Sequence, residues 1–208
     1  KYTTGTGMVI NELRMNPNQT CLGHVLAGAG YETGYIGKWH LYANELGNHT
    51  EPRNSFVPRG PHRLGFDGYW AAFNFHHDYY GAYYHTESPE KIFYGEGVFE
   101  PDAQTDIAIE FLEGCGAEPF CLFLSWGPPH NPYETAPQRY RELYDPEKII
   151  YRPNVQFNRD DKLYRDLAGL ARLRLLHVAG AREEAAQVTV LGGVVHPHEA
   201  LLRQLGGQ

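Results

Sequence analysis

Gly30-Tyr31-Glu32-Thr33-Gly34-Tyr35-Ile36-Gly37-Lys38-Trp39-His40-Leu41 is the stretch on which the reading of the fold turns. Ahead of it, Leu22, Val25 and Leu26 fall at helical spacing, and Thr20 stands where a capping hydroxyl belongs. Gly28 and Gly30 stop that helix. The quoted stretch then reads as a short strand over Glu32–Gly37, centred on Tyr35-Ile36, running into the polar Lys38 and His40. A helix that feeds a strand ending in polar groups is the repeating step of an α/β fold.

The same alternation continues downstream. Residues 44–68 read as loop, with Pro52, Pro58, Pro61 and four glycines. Tyr69 to Tyr84 is dense in aromatics and histidine. Asp102–Glu113 predicts a helix with Ile107, Ile109, Phe111 and Leu112 on its apolar side and Pro101 near its start. Gly114 and Gly116 end it. Phe120-Cys121-Leu122-Phe123-Leu124 is a continuous apolar run, which predicts a central parallel strand covered on both faces. Gly127-Pro128-Pro129-His130-Asn131-Pro132 breaks it, and a short helix is expected over Ala136–Tyr144.

Composition narrows the function classes. Apolar residues make up 42% of the 208, enough for a buried core. The net charge of −7 disfavours nucleic acid, whose phosphates call for a basic surface. Cys21, Cys115 and Cys121 are odd in number and show no CxxC spacing, so all three are read as free. No apolar run reaches the roughly 18–20 residues of a membrane span. No leader segment is seen, and the compartment stays open, with periplasmic or extracellular export compatible with the parent protein. Asn18-Gln19-Thr20 and Asn48-His49-Thr50 match the glycosylation sequon, a weak signal without a host.

Two places could carry chemistry. Lys38 and His40 follow a strand end, and ligands of open α/β sheets bind outside the carboxyl ends of strands. Residues two apart on an extended backbone point the same way, so ammonium and imidazole would together face an anion. His130 lies in a proline-rich turn after the most apolar strand, at the same edge. Taken alone, these also fit a surface lysine, a half-buried histidine and a structural histidine. His76-His77-Asp78, with His85 nearby, lacks the spacing of a zinc site and reads as a loop, or at most as the rim of a substrate pocket.

Taken together, these segments resemble the sulfatase family of the alkaline-phosphatase-like fold. The quoted stretch is similar to the family's helix–strand–GKWHL signature. Arg59-Gly60-Pro61 with Gly65-Phe66-Asp67-Gly68-Tyr69, Thr105-Asp106, and Pro119-Phe120 through His130-Asn131-Pro132 follow in the family's order. The fold this implies is α/β: part of an alkaline-phosphatase-like sandwich, with a mixed, mostly parallel central sheet flanked by helices. Residues 1–158 would be a partial catalytic domain. The activity implied is sulfuric ester hydrolysis on a small-molecule or glycan sulfate ester. The resemblance gives Lys38 the binding of a sulfate oxygen. It makes His40 and His130 catalytic: His40 beside the nucleophile, helping to expel sulfate, and His130 as the acid for the leaving oxygen. It also implies a formylglycine made from Cys or Ser, and a divalent cation, usually calcium, in the intact enzyme.

The chain departs from the family in three respects. No cysteine here lies in the C/S-x-P-S-R motif that carries the nucleophile, which is expected upstream, and no residue is assigned as a metal ligand. The expectation is therefore an inactive internal fragment. After Asn158 the composition changes: 27 of 28 aromatics lie before that point, and the remainder holds ten leucines and six arginines. Residues 159–208 are read as a divergent tail, out of frame from about Gly169 or disordered, with helical stretches at Leu163–Leu176 and Glu183–Val190. The string His196-Pro197-His198-Glu199 is read as coincidence, not a metal site. The enzymatic alternative is a phosphodiesterase or phosphonate hydrolase of the same superfamily. The non-enzymatic one is an anion- or glycan-binding module built on Tyr69–His85.

Overall fold

The computed structural model describes residues 2–44, 46, 51–143, 145, 148, 150 and 152–154, so the tail and its expected helices lie outside the described residues. The described residues fall into two compact units, 2–126 and 127–154. The first unit runs α1 (Thr3–Thr6), α2 (Leu22–Gly28), β1 (Glu32–Lys38), β2 (Tyr69–Phe73), β3 (Tyr83–Tyr84), β4 (Ile92–Phe93), α3 (Glu100–Gly114) and β5 (Phe120–Ser125).

Three strands form a wholly parallel sheet in the order β2-β1-β5. Lys38 pairs with Phe73, and Gly37 with Ser125, so all three strands deliver their carboxyl ends to one edge. The small antiparallel pair β3-β4 is joined to β2 through a bridge between Ala72 and His85. The α/β class expected from sequence is the observed one.

Side chains alternate along each strand and so supply two cores, as pleating requires. On one face, Tyr35, Trp70 and Cys121 join Trp39, Tyr42, Val57, Leu64 and Phe66, with Leu26 of α2 packed against them. On the other, Ile36, Ala71 and Leu122 meet Ala108 and Phe111 of α3. Each fully buried Ile or Phe contributes about 1.5–3 kcal/mol. The first core is an aromatic stack: Tyr35 lies 4.7 Å from Trp39 and 5.4 Å from Trp70, ring centre to ring centre. Arg63 is fully buried beside it. Its guanidinium sits 4.5 Å over the Trp70 ring, pairs with Glu87 at 2.8 Å and donates to the carbonyls of Val57 and Thr86. One side chain thereby ties the long 44–68 loop to the segment after β3.

Several local expectations are corrected. The cap of α2 is Cys21, not Thr20; the Cys21 amide donates to Nδ1 of His24. Leu22 and Val25 point outward at 53% and 57% exposure while Leu26 packs, because α2 turns the buried Gly23 against the Leu64 carbonyl. In α3, Ile109 faces solvent; the inward positions are Gln104, Thr105, Ala108 and Phe111. The apolar run of β5 stands at the side of the described sheet, with β1 in the middle, and its Phe123 is partly exposed. The three cysteines are free thiols, with Cys121 in the core strand.

In the second unit a single turn at Tyr133–Thr135 precedes α4 (Gln138–Arg141), shorter than the helix expected over Ala136–Tyr144. Pro137, at its N-cap, sets where α4 begins.

Candidate functional site

The carboxyl edge of the sheet in the first unit gathers an unusual set of groups. β1 delivers Lys38. The loop leaving β2 carries Phe75, His76 and His77. The first turn of α3 carries Glu100, whose backbone amide donates to the Tyr79 carbonyl at 2.9 Å and so anchors the helix start to that loop. Pro101 sits in the first turn, where a missing amide is harmless.

Lys38 is half-buried. Its Nζ lies 3.0 Å from Nδ1 of His77. An ammonium can only donate, so Nδ1 accepts and the His77 proton sits on Nε2. Burial pulls the Lys38 ammonium down to about 8, and attraction to Glu100 acts in the opposite sense. Glu100 is 1% exposed, and its Oε1 makes no hydrogen bond. Burial pushes that carboxyl up to about 8; Lys38 opposes the rise and Asp78 adds to it.

His76 lies 3.9 Å from Oε1 through its Nε2, yet it is not its cation. Nε2 also lies 3.0 Å from the Tyr83 carbonyl, which accepts only, so Nε2 holds the proton. The ring stacks on Phe73 at 3.6 Å, and burial brings His76 down to about 4, a neutral imidazole at ordinary pH.

His40 departs from the extended geometry assumed for it. β1 ends at Lys38, and His40 has φ of 60°, in the left-handed region that non-glycine residues seldom occupy. Its amide donates to the Asn74 carbonyl at 3.2 Å, and its ring meets Phe75 edge-on at 4.7 Å. The alternation rule therefore stops at Lys38. The His40 ring is set by the β2 loop, not by the strand.

His85 leaves the histidine cluster altogether. It is 1% exposed, with Nδ1 on the Glu90 carbonyl and Nε2 at 2.8 Å from the Ser55 hydroxyl. That resembles a nucleophile–base pair, but both groups are enclosed and the contacts knit the 44–68 loop to β3. His130 belongs to the second unit. It is exposed and lies between two cis peptide bonds, Pro128–Pro129 and Asn131–Pro132. Its amide donates to Gly127, and its Nδ1 is 2.9 Å from the Asn131 carbonyl.

His76, His77 and Glu100 were not assigned a role from sequence. The two histidines stood in a string that reads as loop. An acidic residue before a proline at a helix start reads only as a favourable charge near the positive helix end. Nothing local marks Glu100 as an almost wholly buried carboxyl.

The comparisons fit this architecture. The chain belongs to the sulfatase family: the family model described as Sulfatase matches residues 2–166. It is 35% identical over 158 residues to the ulvan-active sulfatase of Formosa agariphila, covering 74% of this chain and 29% of that protein. It is 31% identical over 143 residues to the N-acetylglucosamine-6-O-sulfatase of Bacteroides thetaiotaomicron, covering 66% and 22%. The crystal structure of yidJ from Bacteroides fragilis, a sulfatase by assignment, superposes with a TM-score of 0.67 at 28% identity, over 98% of this chain and 43% of that one. The chain thus spans under a third of the length of either curated relative. No described helix is long and apolar enough to cross a membrane.

Proposed function

We propose that the protein acts on carbohydrate sulfate esters, and that the edge carrying Lys38 and His77 holds the sulfate group. One observation carries this: a half-buried ammonium at the carboxyl end of the middle strand, with His77 3.0 Å away. Partial burial strengthens its pull on an anion relative to bulk water. Lys38 binds a sulfate oxygen, His40 assists the release of sulfate, and His130 protonates the leaving oxygen, which would otherwise depart as an alkoxide. Family membership supports the reaction class. The substrate class is supported by the relatives, one named for ulvan and one for N-acetylglucosamine 6-O-sulfate.

The family's chemistry also draws on a formylglycine and a divalent cation, as a rule calcium. Among the described residues no three His, Cys, Asp or Glu groups gather to hold a metal ion. Cys21, Cys115 and Cys121 stand outside the C/S-x-P-S-R pattern. The described residues do not fit either group. Without that nucleophile, the 208 residues are expected to bind the ester and not turn it over.

The test is a titration of the 208-residue chain with N-acetylglucosamine 6-sulfate, followed by NMR of its histidine and lysine side chains. Unsulfated N-acetylglucosamine is the control. The sulfated sugar should give saturable shifts at His77 and Lys38. Lys38→Ala should weaken binding by roughly tenfold, the ~1.4 kcal/mol of one charge-assisted contact. An equal response to both sugars, or full affinity in the variant, would overturn the reading.

A further inference from the structure

The β3-β4 pair carries an ammonium group and an aromatic ring that the sulfate site does not use. Tyr83 of β3 pairs with Phe93 of β4. Lys91 and Phe93 are two residues apart, and side chains at that spacing along a strand share a face. The contacts agree: Nζ of Lys91 lies 4.1 Å over the Tyr83 ring, and the Phe93 ring stands 5.7 Å from the same ring at 62°.

Tyr83 also joins this face to the sheet edge. Its ring is 4.8 Å from the His76 ring, and its carbonyl accepts from Nε2 of His76 at 3.0 Å. The next residue, His77, is 3.0 Å from Lys38. Lys91 is therefore one ring away from the loop that touches Lys38. The strand pair is also fastened in place. His85 bridges to Ala72 of β2, the Tyr94 amide donates to the Ala82 carbonyl at 3.1 Å, and the Ser55 hydroxyl lies 3.0 Å from that of Tyr83.

Lys91 is exposed, and no carboxylate among the described residues forms an ion pair with it. An aromatic ring attracts a cation without neutralising it, so the charge stays available to an anion. Phe93 is 61% exposed. An ammonium beside an open phenyl ring suits a sugar that carries an acid: the C–H face of the pyranose packs on the ring, and the acid meets the cation.

We propose that Lys91 and Phe93 form a second subsite, next to the sulfate-binding edge, for a neighbouring sugar that bears an acidic group. Its ring packs on Phe93 and its acid pairs with Lys91. That the first sugar is held through a sulfate ester rests on the function proposed above. The pairing of the second sugar with Lys91 is read separately.

The experiment is calorimetric titration of the 208-residue chain with two disaccharides. One is glucuronic acid linked to N-acetylglucosamine 6-sulfate; the other is the same molecule with its carboxyl group as the methyl ester. The chain should prefer the acid by roughly threefold, the scale of one exposed ion pair, and the preference should fade at high salt. Lys91→Gln should abolish the preference, and Lys91→Arg should keep it. Lys91 is exposed, so glutamine there leaves the packing intact. Phe93→Ala should weaken both disaccharides, and Phe93→Tyr should not. Equal binding of acid and ester, or a Lys91→Gln chain that still prefers the acid, overturns the proposal. Lys38→Ala should weaken acid and ester by the same factor. If it changes neither, the sulfate edge fails, while the acid-over-ester preference still decides Lys91. Binding of neither disaccharide overturns both readings.

Discussion

Glu100 and His76 sit side by side, and burial acts on both by disfavouring charge. The consequences for stability run in opposite directions with pH. His76 is depressed from 6.5 to about 4, so the unfolded chain binds its proton first, and stability falls as pH drops through that window. Glu100 is raised from 4.5 to about 8, so the unfolded chain ionises first, and stability falls as pH climbs from 4.5 to about 8. Glu100→Gln cannot ionise and keeps His76. Its stability relative to wild type should therefore grow with pH across the second window, by about 1 kcal/mol per unit. Urea denaturation at pH 5, 6.5 and 8 would check this; a difference that stays flat would show Glu100 to be ordinarily solvated. At this scale sequence reading reaches only part of the site. Lys38 and His40 announce themselves by position after a strand. His77 and Glu100 do not, because the His77 contact with Lys38 and the electrostatic pull of Glu100 on it arise from tertiary folding of segments about 40 and 60 residues downstream.

At the scale of elements, the sheet edge depends on a backbone contact that only glycine permits. Gly37 has φ of 100°, and a Cβ placed there would lie 2.1 Å from the Ser125 carbonyl oxygen. Gly37→Ala therefore meets both a strained backbone and a clash with the adjoining strand one residue before Lys38. It should cost roughly 2–4 kcal/mol and shift the urea midpoint accordingly. An unchanged midpoint would mean that β1 and β5 separate freely at this end. β1 and β5 were legible because Tyr-Ile and Phe-Cys-Leu-Phe-Leu are strong strand formers bounded by glycine or proline. β2 was not: Tyr69-Trp70-Ala71-Ala72-Phe73 contains alanines, which favour helices, and its role comes from pairing with β1 under two packed faces. α3 was legible in extent but not in orientation. Its buried side includes Gln104 and Thr105, which a hydrophobic pattern cannot select.

For the whole molecule, the acidic charge and mixed composition describe an ordinary globular surface, but the first unit exposes more apolar area than such a surface needs. Leu22 and Val25 stand outward on α2, and Val9 and Ile10 are 63% and 54% exposed. Apolar groups left in water favour association. The 208-residue chain should bind a hydrophobic dye and elute progressively earlier in size exclusion as its concentration rises. Val25→Lys should reduce both effects. A monomer at all concentrations, with no dye response, would contradict this. The overall class was readable because helix and strand signals alternate in order. The division at residue 127 was not, since it coincides with a turn that reads as one more loop after a strand.

The aromatic stack on the first face has a spectroscopic consequence. The indoles of Trp39 and Trp70 are 5.2 Å apart at 71°, both shielded from water. Transition dipoles that close and that fixed couple as an exciton, so the protein should show a bisignate near-ultraviolet circular dichroism band and blue-shifted emission. Both signals depend on native side-chain packing, not on secondary structure. One tryptophan lies just past the end of β1 and the other in β2. The couplet therefore reports the seam between these strands, the same seam that ends at Lys38 and Phe73. The molecule thus carries its own optical gauge of whether the edge that presents Lys38 is assembled.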